Sequence, residues 1–232
     1  MKIALLGYGK MGQVIEKIAQ ARGHEIVVRK SIHDNYDGLD NADVAIDFSA
    51  PDAAVAHISE CLDRGIPIVS GTTGWLDQYD QMTALCKEKN GSFIYGSNFS
   101  LGVNLFFLLN ENLAKLMKGF ESYDVHLHEA HHTQKLDAPS GTAISLANQI
   151  IENSAYTSWE LGTTNNKTIG IAADRIEHVP GTHSVTYKSP IDEIEIKHTA
   201  HNREGFALGA IIAAEWLSGK KGVFSMKDVL GL

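Results

Sequence analysis

Cysteine is nearly missing. Cys61 and Cys86 are the only two and form no C-x-x-C pair, so a disulfide scaffold and a structural zinc site are poor readings. Positive charge is in deficit: 20 Lys and Arg against 28 Asp and Glu leave a net charge of −8, which argues against general nucleic-acid binding. A local basic cluster for a small anion remains compatible with that balance. Long hydrophobic runs are also lacking, and no window approaches a membrane span. Residues 1–7 read as a short strand running into glycine-rich sequence rather than as a signal peptide. Internal repeats and low-complexity tails are missing too. What is present suits a cytoplasmic globular protein. The 232 residues, 44% hydrophobic and 21% charged, are enough for one or two domains with a sizeable core.

The densest chemistry lies mid-chain, from Glu129 to Ala143 (EAHHTQKLDAPSGTA). Adjacent His131 and His132 cannot both face one side of an extended segment, so at least one can look into a cleft. Imidazole is the side chain most easily set to exchange a proton near neutral pH. Lys135 adds a fixed positive charge. Residues 137–142 then read as a turn running into a helix. The free N–H groups of its first turn, with the hydroxyls of Ser140 and Thr142, make a socket for a carboxylate or phosphate.

Ahead of this stretch the chain alternates strand and helix. A strand at residues 2–6 meets Gly7-Tyr8-Gly9-Lys10-Met11-Gly12, and an amphipathic helix follows to about residue 22. That is the context in which G-x-G-x-x-G binds a dinucleotide pyrophosphate. After a second strand at 25–28 the expected ribose-binding carboxylate is replaced by Arg29-Lys30. Two cations suit a 2′-phosphate and favour NADPH, with NADH still accepted; the alternative is a solvated loop. Further strands are expected at 44–48, 66–69 and 93–95, with helices from about 51 to 64 and 76 to 89. Gly71, Thr72 and Thr73 follow the fourth strand; Gly96, Ser97, Asn98 and Phe99 follow the fifth. In such a sheet ligands sit outside the carboxyl ends of strands, where these loops fall.

From residue 102 the pattern changes. A helix at 103–117, a strand at 123–130 and a helix at 141–151 precede three β-rich segments near 168–173, 184–187 and 193–199, with loops at 162–167 and 179–182. This reads as an α+β region with a mostly antiparallel sheet. An Ala-rich helix at 206–217 can return to the first domain, and residues 225–230 look like a capped turn.

The run Glu129–Ala143 matches, at every defining position, the E-x-H-H-x-x-K-x-D-A-P-S-G-T-A signature of the dihydrodipicolinate reductases. The glycine loop, Gly71–Gly74, residues 97–103 and residues 198–210 are similar to further parts of that family. The resemblance implies a Rossmann-like doubly wound parallel sheet at residues 1–100, completed by 206–232. It also implies a substrate and oligomerisation domain at 101–205. The implied reaction reduces a cyclic dicarboxylate with NAD(P)H in lysine and diaminopimelate synthesis. His131 resembles the proton donor and Lys135 the second catalytic residue. His132, Gly141 and Thr142 resemble substrate-carboxylate contacts, and a homotetramer is implied. The chain departs from the family pattern in being shorter than many members, with a nucleotide loop one residue shorter than the longer forms; Lys10 stands where Arg is common, Arg175-Ile176-Glu177 stands for Arg-x-Gly, and Thr182 replaces an acid before His183.

The residues fit that chemistry on their own terms. Two substrate carboxylates need two sockets, which Lys135 with His132 and the Ser140-Gly141-Thr142 turn supply. His131 suits protonation of the enamine carbon left by hydride addition, and no metal is needed. His126, His128, His131 and His132 show period-two spacing rather than a metal-ligand pattern. A dehydrogenase with a nucleophilic cysteine is disfavoured because Cys61 and Cys86 fall in expected helices. A non-catalytic nucleotide sensor would not need His131 and Lys135.

Overall fold

Ile3, Ala4, Leu5 and Leu6 are each at most 1% exposed in the computed structural model, as a central parallel strand covered on both faces requires. Residues 1–162 and 167–231 are described. The elements begin β1 (Lys2–Leu6), α1 (Lys10–Ala21), β2 (Glu25–Lys30), β3 (Val44–Asp47), α2 (Pro51–Asp63), β4 (Ile68–Ser70), α3 (Tyr79–Glu88) and β5 (Ser92–Tyr95). They continue α4 (Leu101–Met117), β6 (Asp124–His131), α5 (Gly141–Asn153), β7 (Ser158–Leu161), β8 (Thr168–Arg175), β9 (Gly181–Lys188) and β10 (Glu193–Ala200). The chain closes with α6 (Glu204–Leu217), β11 (Gly222–Phe224) and α7 (Met226–Leu230). Contacts divide it into two units: Met1–Leu101 with Arg203–Leu232, and Gly102–Asn202.

The first unit is a six-stranded parallel sheet in the order β11-β5-β4-β3-β1-β2. Alternation along β1 sends Ile3 and Leu5 into one core with α1 and α6, and Ala4 and Leu6 into another with α2 and α3. From β1 the sheet grows one way to β2 and the other way to β3, β4 and β5. The turns after β1 and β3 therefore meet at a topological switch point, where such sheets bind ligands. Gly7 occupies that turn with φ +98°, and a Cβ there would fall 2.1 Å from the Phe48 carbonyl oxygen.

Gly209, within α6, lets that helix lie against the loop after β5. A Cβ there would fall 1.7 Å from the Phe99 carbonyl oxygen, so the main chain itself would have to move. Gly209→Ala is expected to cost about 3 kcal/mol and lower Tm by on the order of 5–10 °C. A melt within 1 °C of the parent would show that α6 is not clamped there.

The second unit is a five-stranded sheet ordered β10-β9-β6-β8-β7. It is mixed rather than mostly antiparallel: β10, β9 and β6 pair antiparallel, but β6 with β8 and β8 with β7 pair parallel. The chain leaves β6 through α5 before it reaches β7 and β8, and such a helical connection permits parallel pairing. β7 itself was not expected; one apolar-polar alternation over four residues is too short to read. The expected loop at 162–167 lies mainly outside the described residues.

One face of this sheet packs on α4 and α5. Its rungs change character along the strands. Val125 pairs with Tyr187, then Leu127 with Val185 and Ile171, all in the core. Two residues further on, Glu129 pairs with His183, and two beyond that His131 pairs with Arg175. The same face therefore runs from hydrophobic to ionisable.

Candidate active site

Register decides which histidine enters the site. Odd-numbered residues of β6 face the core, so His131 follows Val125, Leu127 and Glu129 inward and is buried. Even-numbered His126 and His128 lie on the other face, where His128 Nε2 sits 2.8 Å from Asp174 Oδ2. His132 follows the strand half-buried, and its Nδ1 has no partner among the described residues.

Glu129, fully buried, is the hub. Its Oε1 accepts from the Ser140 N–H at 3.0 Å and from Arg175 Nη2 at 3.1 Å. Its Oε2 lies against His131 Nδ1 and 4.0 Å from His183 Nε2. Burial alone would push this carboxyl up; the adjoining His131 ring, with the hydrogen bonds from Arg175 and Ser140, outweighs that and holds it at about 2. It is therefore a carboxylate at neutral pH. His183 behaves oppositely. Burial, then the neighbouring His131, push it down to about 4, so it is neutral at pH 7. Its Nε2 lies 3.0 Å from Ser140 Oγ, and its ring meets that of His131 edge-on at 5.0 Å. Glu129, His131 and His183 are grouped closely enough to suggest a cation site. The fixed positive charge of Arg175 on the same carboxylate fits a charge-balanced acid–base cluster better.

Arg175 also ties down the loop after β6. Its Nε donates to the Lys135 carbonyl at 3.2 Å and its Nη2 to the Asp137 carbonyl at 2.5 Å. Lys135 Nζ is paired with both carboxylate oxygens of Asp137, at 2.8 and 2.7 Å. This pair holds the Asp137 carboxyl below its usual range. Ser140 caps α5, its Oγ accepting from the Ala143 N–H at 3.2 Å. With that hydroxyl also on His183, Ser140 is committed to structure. The N–H groups of Gly141 and Thr142 have no partner among the described residues and form the open part of the helix start.

The first unit holds a cavity of about 590 Å³ at its switch point, lined by Gly7, Tyr8, Gly9, Lys30, Tyr36, Ser49 and His57 among others. A Cβ on Gly9 would meet nothing within 4 Å, so the backbone there is open to a pyrophosphate. Lys10, Met11 and Gly12 form the first turn of α1. Arg29 and Lys30 are the last residues of β2 rather than a loop beyond it, and alternation separates them. Arg29 pairs with Glu16, which also receives the Tyr8 hydroxyl, and does not line the cavity. Lys30 does. Its Nζ donates to the Ser31 and Asp34 carbonyls and lies 4.9 Å from the Tyr36 ring centre, and among the described residues no carboxylate pairs with it.

Gly71, Thr72 and Thr73 follow β4; Gly96, Ser97, Asn98 and Phe99 follow β5. None lines that cavity. Thr72 Oγ1 accepts from the Ser49 N–H at 2.8 Å. Phe99 is a core residue, 1% exposed, packed on Phe48. Beneath the cavity, buried Asp47 accepts from Ser49 at 2.6 Å and Ser70 at 2.8 Å and meets His57 Nδ1 at 2.9 Å. Cys61 and Cys86 are buried in α2 and α3. The sequence alone assigns no role to Glu129, Arg175, His183, Tyr36 or the Asp47 group. Only Glu129 had a local signal, two residues before His131 on a strand.

Comparison with known proteins gives a consistent result. Residues 1–99 match the family model described as dihydrodipicolinate reductase, N-terminus, and residues 102–230 the model described as dihydrodipicolinate reductase, C-terminus. The chain is 57% identical over 233 aligned positions, 99% of this chain and 98% of the relative, to a 4-hydroxy-tetrahydrodipicolinate reductase of Christiangramia forsetii. It is 40% identical to one from Chromobacterium violaceum, over 84% of this chain and 75% of that protein. Among solved structures, dipicolinate-bound dihydrodipicolinate reductase from Paenisporosarcina sp. TG-14 shares the fold. Its TM-score is 0.75 at 24% identity, with 97% of each chain covered.

Proposed function

The chain belongs to the dihydrodipicolinate reductase family, and from that premise we propose how its residues divide the reaction. The activity is NAD(P)H-dependent reduction of 4-hydroxy-tetrahydrodipicolinate to tetrahydrodipicolinate, a step of lysine and diaminopimelate synthesis. The bound dihydronicotinamide supplies the hydride from its C4. Loss of water from the substrate gives a conjugated imine, and hydride addition to the ring leaves an enamine. His131 then gives its proton to the enamine carbon, and the imidazole recovers one from solvent. Lys135 and His132 take one substrate carboxylate; the N–H groups of Gly141 and Thr142 at the start of α5 take the other. The observation that carries this assignment is the Glu129–His131 pair at the polar end of the β6 rungs. The test is to mix the purified protein with NADPH and freshly made product of the preceding synthase and follow absorbance at 340 nm. No substrate-dependent oxidation would refute it.

For the cofactor we propose a preference for NADPH, read by Lys30 rather than by Arg29 and Lys30 together. A charge satisfied only by carbonyls and an aromatic face stays available to a 2′-phosphate, whereas the Arg29 charge is cancelled by Glu16. Lys30→Ala is expected to raise KM for NADPH about tenfold at low salt while changing KM for NADH less than about twofold. Arg29→Ala should leave both within about twofold. The reverse ranking, from initial rates with each cofactor, would move the reading to Arg29.

A homotetramer and a cytoplasmic location are part of the same proposal. Exposed Ile191 and Ile194, at the turn into β10 and at the start of that edge strand, support a surface that another copy covers. Sedimentation at micromolar concentration tests it, and a monomer would refute it. No helix among the described residues is long and apolar enough to cross a membrane.

A further inference from the structure

We propose that Glu129 is a positioning residue for the proton transfer: its carboxylate receives the Nδ1–H of His131, which leaves Nε2–H as the bond that breaks and supports the ring while it is a cation. This rests on His131 being the acid. Three observations carry it.

First, the two carboxylate oxygens have separate duties. Oε1 alone satisfies the Ser140 N–H and Arg175, while Oε2 is turned to His131. A purely structural staple would need only the first. Second, the other ring nitrogen is left room. The residue across from Nε2 is Gly181, where a Cβ would come within 3.2 Å of it. Third, the surrounding charges suit a cationic ring in contact with one carboxylate. Arg175 from β8 is engaged on the far oxygen of Glu129. His183 from β9 is neutral at pH 7, and His198 from β10 lies behind it. Lys135, from the loop after β6, is held by Asp137. Glu129 is thus the group that offsets positive charge on His131 directly. In the step itself the Nε2–H bond breaks, a C–H bond forms at the enamine carbon from the enamine's own electron pair, and the Nδ1 proton stays on the ring, donated to Glu129. Nothing is oxidised or reduced.

Glu129→Gln separates this role from packing. Its amide oxygen can still accept from Ser140 and Arg175, but its NH2 now meets Nδ1 as a donor. The neutral ring must carry its proton on Nε2, and the cationic ring faces donor against donor. We expect NADPH affinity and Tm close to the parent. The alkaline limb of the kcat/KM profile should move to lower pH by on the order of one unit. At pH 8 the loss should be up to about tenfold, and most of it should return as pH falls. His131→Gln should show no such recovery. Long-range 1H–15N NMR of the ring nitrogens, assigned by difference with His131→Gln, should show the neutral proton on Nδ1 in the parent and on Nε2 in Glu129→Gln.

Unchanged tautomer and a superimposable pH profile would overturn the proposal. If Glu129→Gln does not fold, Arg175→Gln decides instead. It removes the cation but leaves the carboxylate, so the alkaline limb should move up, whatever happens to substrate KM through the Lys135 loop; no movement or a downward one overturns the proposal. Parental turnover in His131→Gln would remove the acid assignment and this proposal with it. A crippled His131→Gln beside a parental Glu129→Gln would remove this proposal alone.

Discussion

Replacing His131 by Gln lowers kcat by on the order of 100-fold or more while NADPH affinity stays within about twofold. Glutamine fills similar space, so the β6 rung should survive, but it cannot release a proton near neutral pH. The nucleotide cavity is built from the other unit, by Gly7, Gly9 and Lys30 among others, so the cofactor loses no contact. Single-turnover mixing should place the loss in the step that consumes NADPH. Turnover within a few-fold of the parent would mean that another group, or water, is the acid.

Lys135→Ala lowers kcat/KM by on the order of 100-fold, with KM for the dicarboxylate raised at least about tenfold. The ion pair with Asp137 sharpens this. Both Asp137 oxygens lie on Nζ, at 2.8 and 2.7 Å, so a substrate carboxylate must share or displace them. Once Lys135 is gone, Asp137 is left as an uncompensated anion beside the place where the substrate anion binds. The double variant Lys135→Ala with Asp137→Ala should therefore bind substrate better than Lys135→Ala alone, by a few-fold at low salt. A single variant that kept the parental KM would refute the carboxylate role of Lys135. Equal KM values in the single and double variants would refute the competition.

Legibility in the sequence followed distance along the chain. The parallel sheet was readable because each βα unit announces itself within some thirty residues by a strand, a turn and a helix start. The central motif was readable because His131, Lys135 and the α5 cap lie within one short run. Arg175 and His183 were not, since they reach Glu129 and Ser140 from 46 and 43 residues away through strand pairing. Strand ends were misjudged by a few residues, with consequences. β2 continues to Lys30 because it pairs with β1 as far as Leu6, and this sends Arg29 and Lys30 to different neighbours. β6 likewise runs on to His131, so the acid sits on a rigid element rather than in a loop. The absence of a helix between its later strands suggests a mostly antiparallel second sheet; the crossover that permits the parallel β6–β8 pair contains α5, which comes before those strands. β11 is three residues long and has no pattern to find.

The graded face of the second sheet has a consequence for tolerance to length change. Val125 and Leu127 are anchored in the core, and Glu129 and His131 face the same way because they lie two and four residues beyond Leu127 on the same strand. Deleting or inserting one residue after Leu127 would turn His132 or Ala130 inward and the acid outward, with the apolar anchors untouched. Such a variant could stay folded and be inert. A two-residue change would keep the facing but shift the acid by about 7 Å along the strand, beyond its partners on β8 and β9. Substitutions in this part of β6 can be graded, but its length is all-or-nothing, so natural insertions in relatives are expected in the turns outside β6, β8 and β9 and not within them.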